Sequence, residues 1–195
     1  MTKEEVLEIF RKTGAILEGH FLLSSGLHSS QYLQCALVLQ DPKIAEKLCK
    51  ALAEQFTQRA TNDERRATVV VAPALGGVVV SYETARALGV KGIFTERVEG
   101  KMTLRRGFSL SKSDKVLVVE DVITTGLSTK EVIEAVKSYG AEVVGVGSIV
   151  NRSKEKIDFG AEQESLITLD VPTFKPEDCP LCKQGISLGK PGSRI

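Results

Sequence analysis

The segment KVLVVEDVITTGLSTKEVIEAVKSYG, residues 115–140, decides the fold because two kinds of periodicity meet in it. Residues 116–119 are all apolar, which is typical of a strand buried on both faces. After residue 128 the apolar positions recur at helical spacing as far as Gly140. The segment therefore predicts a strand, a loop and a helix, with Glu120 and Asp121 where the strand ends.

The loop after this strand places hydroxyl groups beside the two carboxylates. Thr124, Thr125 and Ser128 supply the hydroxyls, and Gly126 lets the backbone approach a ligand closely. The helix that begins near Ser128 presents free N–H groups and the positive end of its dipole to the same place. Carboxylates suit the neighbouring hydroxyls of a ribose, and a helix N-terminus suits a phosphate. We therefore expect a sugar phosphate to bind here.

An ordinary helix start is the alternative interpretation of this loop. Ser128 and Glu131 have the spacing of a capping box. Capping needs neither adjacent acids nor further threonines, and unpartnered charge at the end of a buried strand is costly, so we favour the ligand site. The sequence contains no G-x-x-x-x-G-K-[ST] and no G-x-G-x-x-G after a strand, which argues against the usual nucleotide-binding loops.

The rest of the chain alternates predicted strands with predicted helices. Strands are predicted at 68–72, 90–96, 115–120 and 141–151, and helices at 3–13, from Pro42 through Phe56, at 78–89 and up to Gly140. Residues 20–40 are predicted to form short strands around a turn at Ser25–Gly26, and 57–67 and 97–107 to be polar connections. This order predicts an α/β fold with a central, mostly parallel sheet flanked by helices. Ligands then bind at the carboxyl edge of the strands.

Length and composition favour a single domain with its own core. The chain has 195 residues, of which 42% are hydrophobic and 26% charged, and its net charge is only +1. We therefore expect no nucleic-acid partner and no membrane partner. The absence of a long apolar run and of a signal-like N-terminus favours a cytoplasmic location. We divide the chain into a hood at about 1–40, a core at about 41–170 and a tail at 171–195.

Two weaker signals concern metal-ligand residue types. Cys179 and Cys182 form a Cys-x-x-Cys pair, for which we favour reduced structural thiols, with an intersubunit zinc site or a disulfide as the alternative. His20 and His28 lie eight residues apart, and we favour two isolated histidines over a metal pair. The tail at 182–195 has glycine, proline and three basic residues and is a candidate to lie over a partner subunit or the site, but its sequence does not predict a function.

Residues 116–129 resemble the phosphoribosyl diphosphate (PRPP) motif of type I phosphoribosyltransferases, in which a hydrophobic strand precedes two acids and a T-T-G-x-S/T loop. Stretches at 20–34, 69–89 and 145–153 make the chain similar to bacterial orotate phosphoribosyltransferases, in a branch with a shortened catalytic loop and a Cys-x-x-Cys tail. The resemblance implies the type I fold with a small N-terminal hood. It also implies transfer of the phosphoribosyl group from PRPP to orotate in pyrimidine biosynthesis, giving orotidine 5′-monophosphate and diphosphate.

The resemblance also implies site residues and partners. It assigns PRPP to the acid pair, the loop after it and a diphosphate loop: Glu120, Asp121, Val122, Ile123, Thr124, Thr125, Gly126, Leu127, Ser128, Leu75 and Gly76. It assigns orotate to Thr124, Arg152, Ser25 and Tyr32. Catalytic roles fall to Asp121 and to Arg97 and Lys101 of a mobile loop, for which an ordinary solvated hairpin at 98–106 is the alternative interpretation. The implied enzyme is a homodimer with shared active sites, and its Mg²⁺ is held mainly by PRPP, with Glu120 and Asp121 as further candidates.

The sequence departs from the family pattern in its cations. The mobile loop lacks the K-x-H-G segment, and Ser24 and Gly76 stand where many members have lysines. Lys101, Arg105 and Arg106 are candidates to replace those charges.

Two other functions share the implied fold: a purine-base phosphoribosyltransferase and a regulatory protein that senses PRPP. The hood and Arg152 favour orotate over a purine, because a carboxylated base requires a cation. The near-neutral charge disfavours a nucleic-acid-binding regulator.

Overall fold

The computed structural model describes residues 1–23, 25–59, 66–153 and 155–191, which form six helices and nine strands. The helices are α1 (Lys3–Lys12), α2 (Cys35–Leu39), α3 (Pro42–Arg59), α4 (Gly76–Leu88), α5 (Leu127–Ser138) and α6 (Pro180–Lys183). The strands are β1 (Ile16–Leu22), β2 (His28–Leu33), β3 (Val69–Pro73), β4 (Lys91–Val98), β5 (Lys101–Leu104), β6 (Lys115–Ile123), β7 (Glu142–Asn151), β8 (Gln163–Thr168) and β9 (Thr173–Phe174).

The main sheet has six strands in the order β5-β4-β3-β6-β7-β8. All neighbours in it are parallel except β4 and β5, which form an antiparallel hairpin at one edge. The predicted α/β class with a mostly parallel sheet is therefore confirmed. Because β3 and β6 are neighbours in the centre, the loops that follow them meet at the same edge of the sheet.

Both faces of the central strands are buried, and this explains their uninterrupted apolar sequences. Val70 and Leu117 belong to the hydrophobic cluster that contains residues of α1 to α4. Val71 and Val118 belong to the cluster on the opposite face, which contains residues of α5. Successive side chains of a strand point to opposite faces, so a strand covered on both sides needs apolar residues at every position.

The hood is a separate three-stranded antiparallel sheet in the order β1-β2-β9. Its third strand comes from the tail, since His28 pairs with Phe174 and Ser29 with Thr173. Further along, the Gly189 N–H donates to the His20 carbonyl at 2.7 Å, and the Gly189 carbonyl accepts from the Leu22 N–H at 2.8 Å. The tail thus returns to the N-terminal hairpin and lies along it.

Two predictions are partly wrong: the short strands predicted over 20–40 include a helix, and the polar connection predicted at 97–107 includes a strand. Residues 35–39 form a helix, in which Cys35, Val38 and Leu39 are buried at helical spacing. Within 97–107, β5 pairs with β4 through a tight turn in which Glu99 and Gly100 have φ values of 49° and 83°. Positive φ at two successive turn residues is the conformation of two-residue hairpins.

Other predicted boundaries moved by a few residues or lie outside the described chain. Helix α3 continues to Arg59, into the predicted connection at 57–67, of which residues 60–65 lie outside the described residues. The predicted ends of this region's helices hold: Asp41 Oδ1 accepts from the Lys43 N–H at 2.9 Å, and Gly89 closes α4 in the left-handed conformation. No helix of the described chain is both long enough and apolar enough to cross a membrane.

Candidate active site

The acid pair belongs to strand β6 itself and lies near its carboxyl end. The strand runs to Ile123, three residues beyond the predicted end. Glu120 is paired with Ser148 of β7, and Ile123 with Asn151. Regular pairing holds the two acids in place, so their side chains project from a rigid element rather than from a loop.

Burial makes ionisation of both acids unfavourable. Loss of solvation raises the pKa of Glu120 well above its usual value, and the nearby charge of Asp121 raises it further. Burial also raises the pKa of Asp121. A cation or a pair of hydroxyl donors would stabilise the ionised forms, which is the chemistry that a metal-bound ribose supplies.

The loop between β3 and α4 lies against the acid pair. A Cβ atom on residue 76 would be 2.5 Å from Oδ2 of Asp121, so only glycine leaves room for this carboxylate. A Cβ atom on residue 77 would be 3.5 Å from Oε1 of Glu120. Any larger residue at Gly76, including the lysine of many family members, would therefore have to displace Asp121.

The hydroxyl-rich loop forms the entrance to α5. Gly126 has a φ of 72°, and a Cβ atom there would lie 2.8 Å from Cδ1 of Ile157, so both conformation and space require glycine. The N-cap of α5 is Gly126, which has no side chain to cap the helix, and Thr125 Oγ1 accepts from the Leu127 N–H at 3.4 Å. Glu131, the expected partner in a capping box, instead accepts from Nη1 of Arg97 at 3.0 Å. The capping-box interpretation is therefore wrong, and the helix N-terminus lies beside a space of about 210 Å³.

Arg152 follows β7 and reaches the same edge of the sheet. Its backbone N–H donates to the Ile123 carbonyl at 2.8 Å. Its Nε atom is buried and has no hydrogen-bond partner among the residues that the structure describes. Desolvation lowers the pKa of Arg152, and Tyr32 and Cys35 partly offset this effect. A partly buried guanidinium whose Nε lacks a partner is suited to binding an anion.

A cavity of about 530 Å³ brings most of the predicted residues together. Those that line it are Ser25, Tyr32, Glu120, Asp121, Val122, Thr124, Thr125, Ser128 and Arg152. Ile123, Gly126 and Leu127 line the adjoining 210 Å³ space with the rest of the loop. Hood, acid pair, hydroxyl loop and arginine therefore surround one volume, large enough for a ligand with several groups.

The two predicted loop cations do not line this cavity. Arg97 lies on β4, where its guanidinium binds Glu131 and the Gly100 carbonyl. Lys101 lies at the start of β5 and is exposed.

The remaining predicted positions are also outside the cavity lining. Arg106 donates two hydrogen bonds of 2.9 Å to Glu96, whereas Arg105 is exposed. Leu75 lies at the N-cap of α4, in the loop after β3, and is 78% exposed. Ser24, where relatives have a hood lysine, lies outside the described residues.

Sequence reasoning missed a lysine from the tail. Lys190 and Pro191 line the 530 Å³ cavity, as does Cys35 at the start of α2. Lys190 reaches the site because Gly189 is hydrogen-bonded to the hood hairpin. The tail's basic residues were visible in the sequence, but their local pattern carries no signal for pairing with a strand about 170 residues earlier.

Comparisons with known proteins agree with this geometry. Residues 38–161 match the family described as "Phosphoribosyl transferase domain". The orotate phosphoribosyltransferase of Desulforamulus reducens is 56% identical over 194 residues, which cover 100% of this chain and 98% of the relative. That of Pelotomaculum thermopropionicum is 55% identical and covers 100% and 99%.

A solved structure extends the agreement to the fold. The crystal structure of orotate phosphoribosyltransferase from Aeropyrum pernix superposes with a TM-score of 0.68 at 27% identity, over 84% of this chain and 93% of that chain. The family match, the two full-length relatives and the arrangement around the acid pair agree with one another. The chain belongs to the orotate phosphoribosyltransferase family.

Proposed function

We propose that the protein transfers the phosphoribosyl group of PRPP to orotate, giving orotidine 5′-monophosphate and diphosphate. Relatives named orotate phosphoribosyltransferase match the full chain at 56% and 55% identity. One structural observation carries the proposal: the unsatisfied, buried Nε of Arg152 shares a cavity with the acid pair and the hydroxyl loop. A carboxylated base and a phosphorylated ribose would satisfy these groups together.

PRPP occupies the carboxyl end of β6 in this proposal. Glu120 and Asp121 accept hydrogen bonds from the ribose 2′ and 3′ hydroxyls, and residues 124–128 bind the 5′-phosphate at the N-terminus of α5. Leu75 and Gly76 face the diphosphate through their backbone. The tight fit of Asp121 against Gly76 supports this role of the β3–α4 loop, since it places the backbone of the loop close to the acid pair.

Orotate occupies the side of the cavity nearest the hood. Arg152 holds its carboxylate, because a guanidinium can donate two parallel hydrogen bonds to a carboxylate. Thr124 and Ser25 contact the base, and Tyr32 stacks on it or packs beside it. All four residues line the cavity.

Mg²⁺ belongs to this proposal because the site offers the oxygen ligands that it prefers. Glu120 and Asp121 are adjacent buried carboxylates with raised pKa values, so a divalent cation near them would relieve an unfavourable charge. We assign most of its ligands to PRPP and any protein ligands to these two residues. When bound, the ion neutralises charge on the departing diphosphate.

The chemistry is a displacement at the anomeric carbon. The bond from this carbon to the diphosphate oxygen breaks, the bond to the orotate ring nitrogen forms as that nitrogen loses its proton to water, and the diphosphate leaves with the bonding electrons. The protein contributes positioning and electrostatic stabilisation rather than a covalent nucleophile. Arg152 fixes the nucleophile, while the acid pair and the loop fix the sugar, so the two reacting atoms are held face to face.

The active form in this proposal is a homodimer with shared sites. Arg97 and Lys101 on the β4–β5 hairpin lie outside the cavity of their own chain and serve the partner's site. Leu75, Val79 and Tyr82 support a dimer, since they are exposed apolar residues at helical spacing along α4. An apolar stripe of this kind is suited to an interface between copies.

Lys190 supplies one of the missing cations in this proposal. It brings a positive charge from the tail to the cavity lining, and Ser24 and Gly76 supply none. We also propose a cytoplasmic location and a division of the chain into hood, core and tail.

A substrate panel tests the function. Purified protein, Mg²⁺ and PRPP are mixed with orotate, adenine, hypoxanthine or uracil, and diphosphate release is followed. We expect that, of the four bases, only orotate supports diphosphate release. Release with a purine would indicate the purine-base activity, and release with none of the four would indicate a PRPP-sensing protein.

A further inference from the structure

Four side chains with metal-binding atoms meet between the hood and the tail. His20 lies on β1 and His28 at the start of β2, while Cys179 and Cys182 flank the beginning of the short helix α6. One potential ligand atom of each residue lies within 4.8 Å of the others. The interpretation of two isolated histidines is therefore wrong. We call this group the hood–tail cluster.

Three nitrogen–sulfur distances within the cluster are close to those of a tetrahedral zinc site. Bonds of about 2.0–2.1 Å to nitrogen and about 2.3 Å to sulfur give nitrogen–sulfur edges of about 3.5 Å. The observed distances are 3.5 Å from Cys179 Sγ to His20 Nε2, 3.7 Å from Cys182 Sγ to the same atom and 3.3 Å from Cys182 Sγ to His28 Nδ1. His20 Nε2 and His28 Nδ1 are 2.8 Å apart, so binding an ion would increase the distance between these two nitrogens by about half an ångström.

The tautomer of His20 also suits a metal ligand. Its Nδ1 lies 2.7 Å from the Ile186 carbonyl, which can only accept a hydrogen bond, so Nδ1 carries the proton. In a neutral imidazole the other nitrogen, Nε2, then has a free lone pair, and this is the atom that points into the cluster. Metal-bound histidines are typically oriented by such a bond from their second nitrogen.

The ligand set selects the metal. Two thiols and two imidazoles, with no carboxylate among the four, match Zn²⁺ and not Mg²⁺ or Ca²⁺. His20, His28 and Cys179 are buried, and Cys182 is exposed, so an ion can enter from one side. Four protein ligands leave no open position, as in structural sites.

We propose that His20, His28, Cys179 and Cys182 bind one structural Zn²⁺ ion that fastens the tail to the hood. The ion does not touch the substrates. It fixes the segment that continues through Gly189, whose two hydrogen bonds to Leu22 and His20 bring Lys190 and Pro191 to the cavity. Zinc thereby holds in place the tail segment that lines one side of the cavity, although the ion itself is not part of the cavity lining.

Metal analysis of the full-length protein, purified without metal-affinity resin, tests this inference independently of activity. We expect about one Zn²⁺ per chain, with X-ray absorption showing two sulfur and two nitrogen ligands. Cys182→Ser and His28→Asn should reduce zinc to background. Cys49→Ala, which changes a buried cysteine of α3 outside the cluster, should retain it.

Chelation of the wild-type protein gives a second readout, which does not depend on the variants folding. Removal of zinc should make two additional thiols reactive and should speed tryptic cleavage after Lys183, which is followed by Gln184. A wild-type protein without zinc, or a Cys179–Cys182 disulfide found by mass spectrometry, would overturn the proposal. Unchanged cleavage after confirmed loss of zinc would overturn the role in holding the tail.

Discussion

Arg152 is the residue on which the choice of base depends. Replacing it with alanine should raise the KM for orotate about 10- to 100-fold, because a hydrogen bond to a charged group contributes about 1.5–3 kcal/mol. The KM for PRPP should change far less, since the acid pair and the hydroxyl loop remain. Steady-state kinetics with each substrate varied in turn measures both effects.

Two matched variants sharpen this comparison. Arg152→Lys keeps the charge but loses the planar fork, and it should recover only part of the orotate affinity. Arg86→Ala removes an exposed arginine of α4 that pairs with Glu83 and Glu46, and it should leave both constants unchanged. If Arg152→Ala raised the KM values for orotate and for PRPP by the same factor, the role assigned to Arg152 would be contradicted.

Glu120 should make the stability of the ligand-free protein depend on pH. Its pKa is raised by burial, so the folded state keeps the proton longer than the unfolded state does. The corresponding stability is fully present below the usual pKa of about 4.5 and is lost as pH rises through the raised value. Glutamine cannot ionise, so Glu120→Gln should melt at increasingly higher temperature than the wild type as pH rises.

Thermal unfolding from about pH 4 to 8 measures this difference. Glu134→Gln, an exposed position on α5, serves as the control and should show a constant offset. A melting difference between Glu120→Gln and wild type that stays flat or shrinks with rising pH would contradict the raised pKa.

At the scale of single residues, the sequence predicted the site where reactive side chains stand at the end of a predicted strand. The acid pair and the threonines were recognisable because adjacent charges and hydroxyls at strand ends are rarely needed for folding alone, whereas Arg152 was assigned from the resemblance to the family. Lys190 and the hood–tail cluster were not recognisable, because their partners are distant in the sequence and nothing local records the pairing.

At the scale of elements, the packing of β7 on α3 explains two glycines that belong to no nucleotide-binding motif. A Cβ atom at Gly145 would lie 2.7 Å from Phe56, and one at Gly147 would lie 3.1 Å from the same ring. These glycines let an aromatic ring lie directly on the strand. They serve packing and not a dinucleotide.

Gly145→Ala should therefore lower the free energy of unfolding by about 1–3 kcal/mol through overpacking. Denaturant titration measures the loss. In a Phe56→Leu background the same change should cost clearly less, because the ring that it strikes is gone. Equal costs in the two backgrounds would show that the ring is not the obstacle.

The central elements were predictable because β3 and β6 are buried on both faces, and uninterrupted apolar runs follow from that burial. The β4–β5 hairpin was the less favoured interpretation of residues 98–106, because its turn uses glutamate at a positive φ, where glycine or asparagine is the usual signal. Helix α2 was missed because five residues are too few to show a period clearly.

At the scale of the whole molecule, the proposed sharing of sites between subunits can be tested by mixing. Asp121→Asn and Lys101→Ala should each have low activity as pure dimers. Random reassociation makes about half of the dimers mixed, and one of the two sites in each mixed dimer is intact, so about a quarter of wild-type activity should return.

The control is a mixture of Asp121→Asn with the double variant, in which no intact site can form. Activity that does not rise on mixing the two single variants, despite demonstrated subunit exchange, would contradict a shared site. Size-exclusion chromatography should show twice the chain mass of 21.1 kDa for every variant.

The return of the tail to the N-terminal hairpin has a consequence for synthesis on the ribosome. About 140 residues separate the end of β2 from the start of β9. At about 5–20 residues per second, the nascent hairpin waits roughly 7–30 seconds for its third strand. Until then one edge of β2 offers unpaired N–H and C=O groups to other emerging chains. The hood is therefore the last part of the protein to be completed, and the first place to look for aggregation during translation.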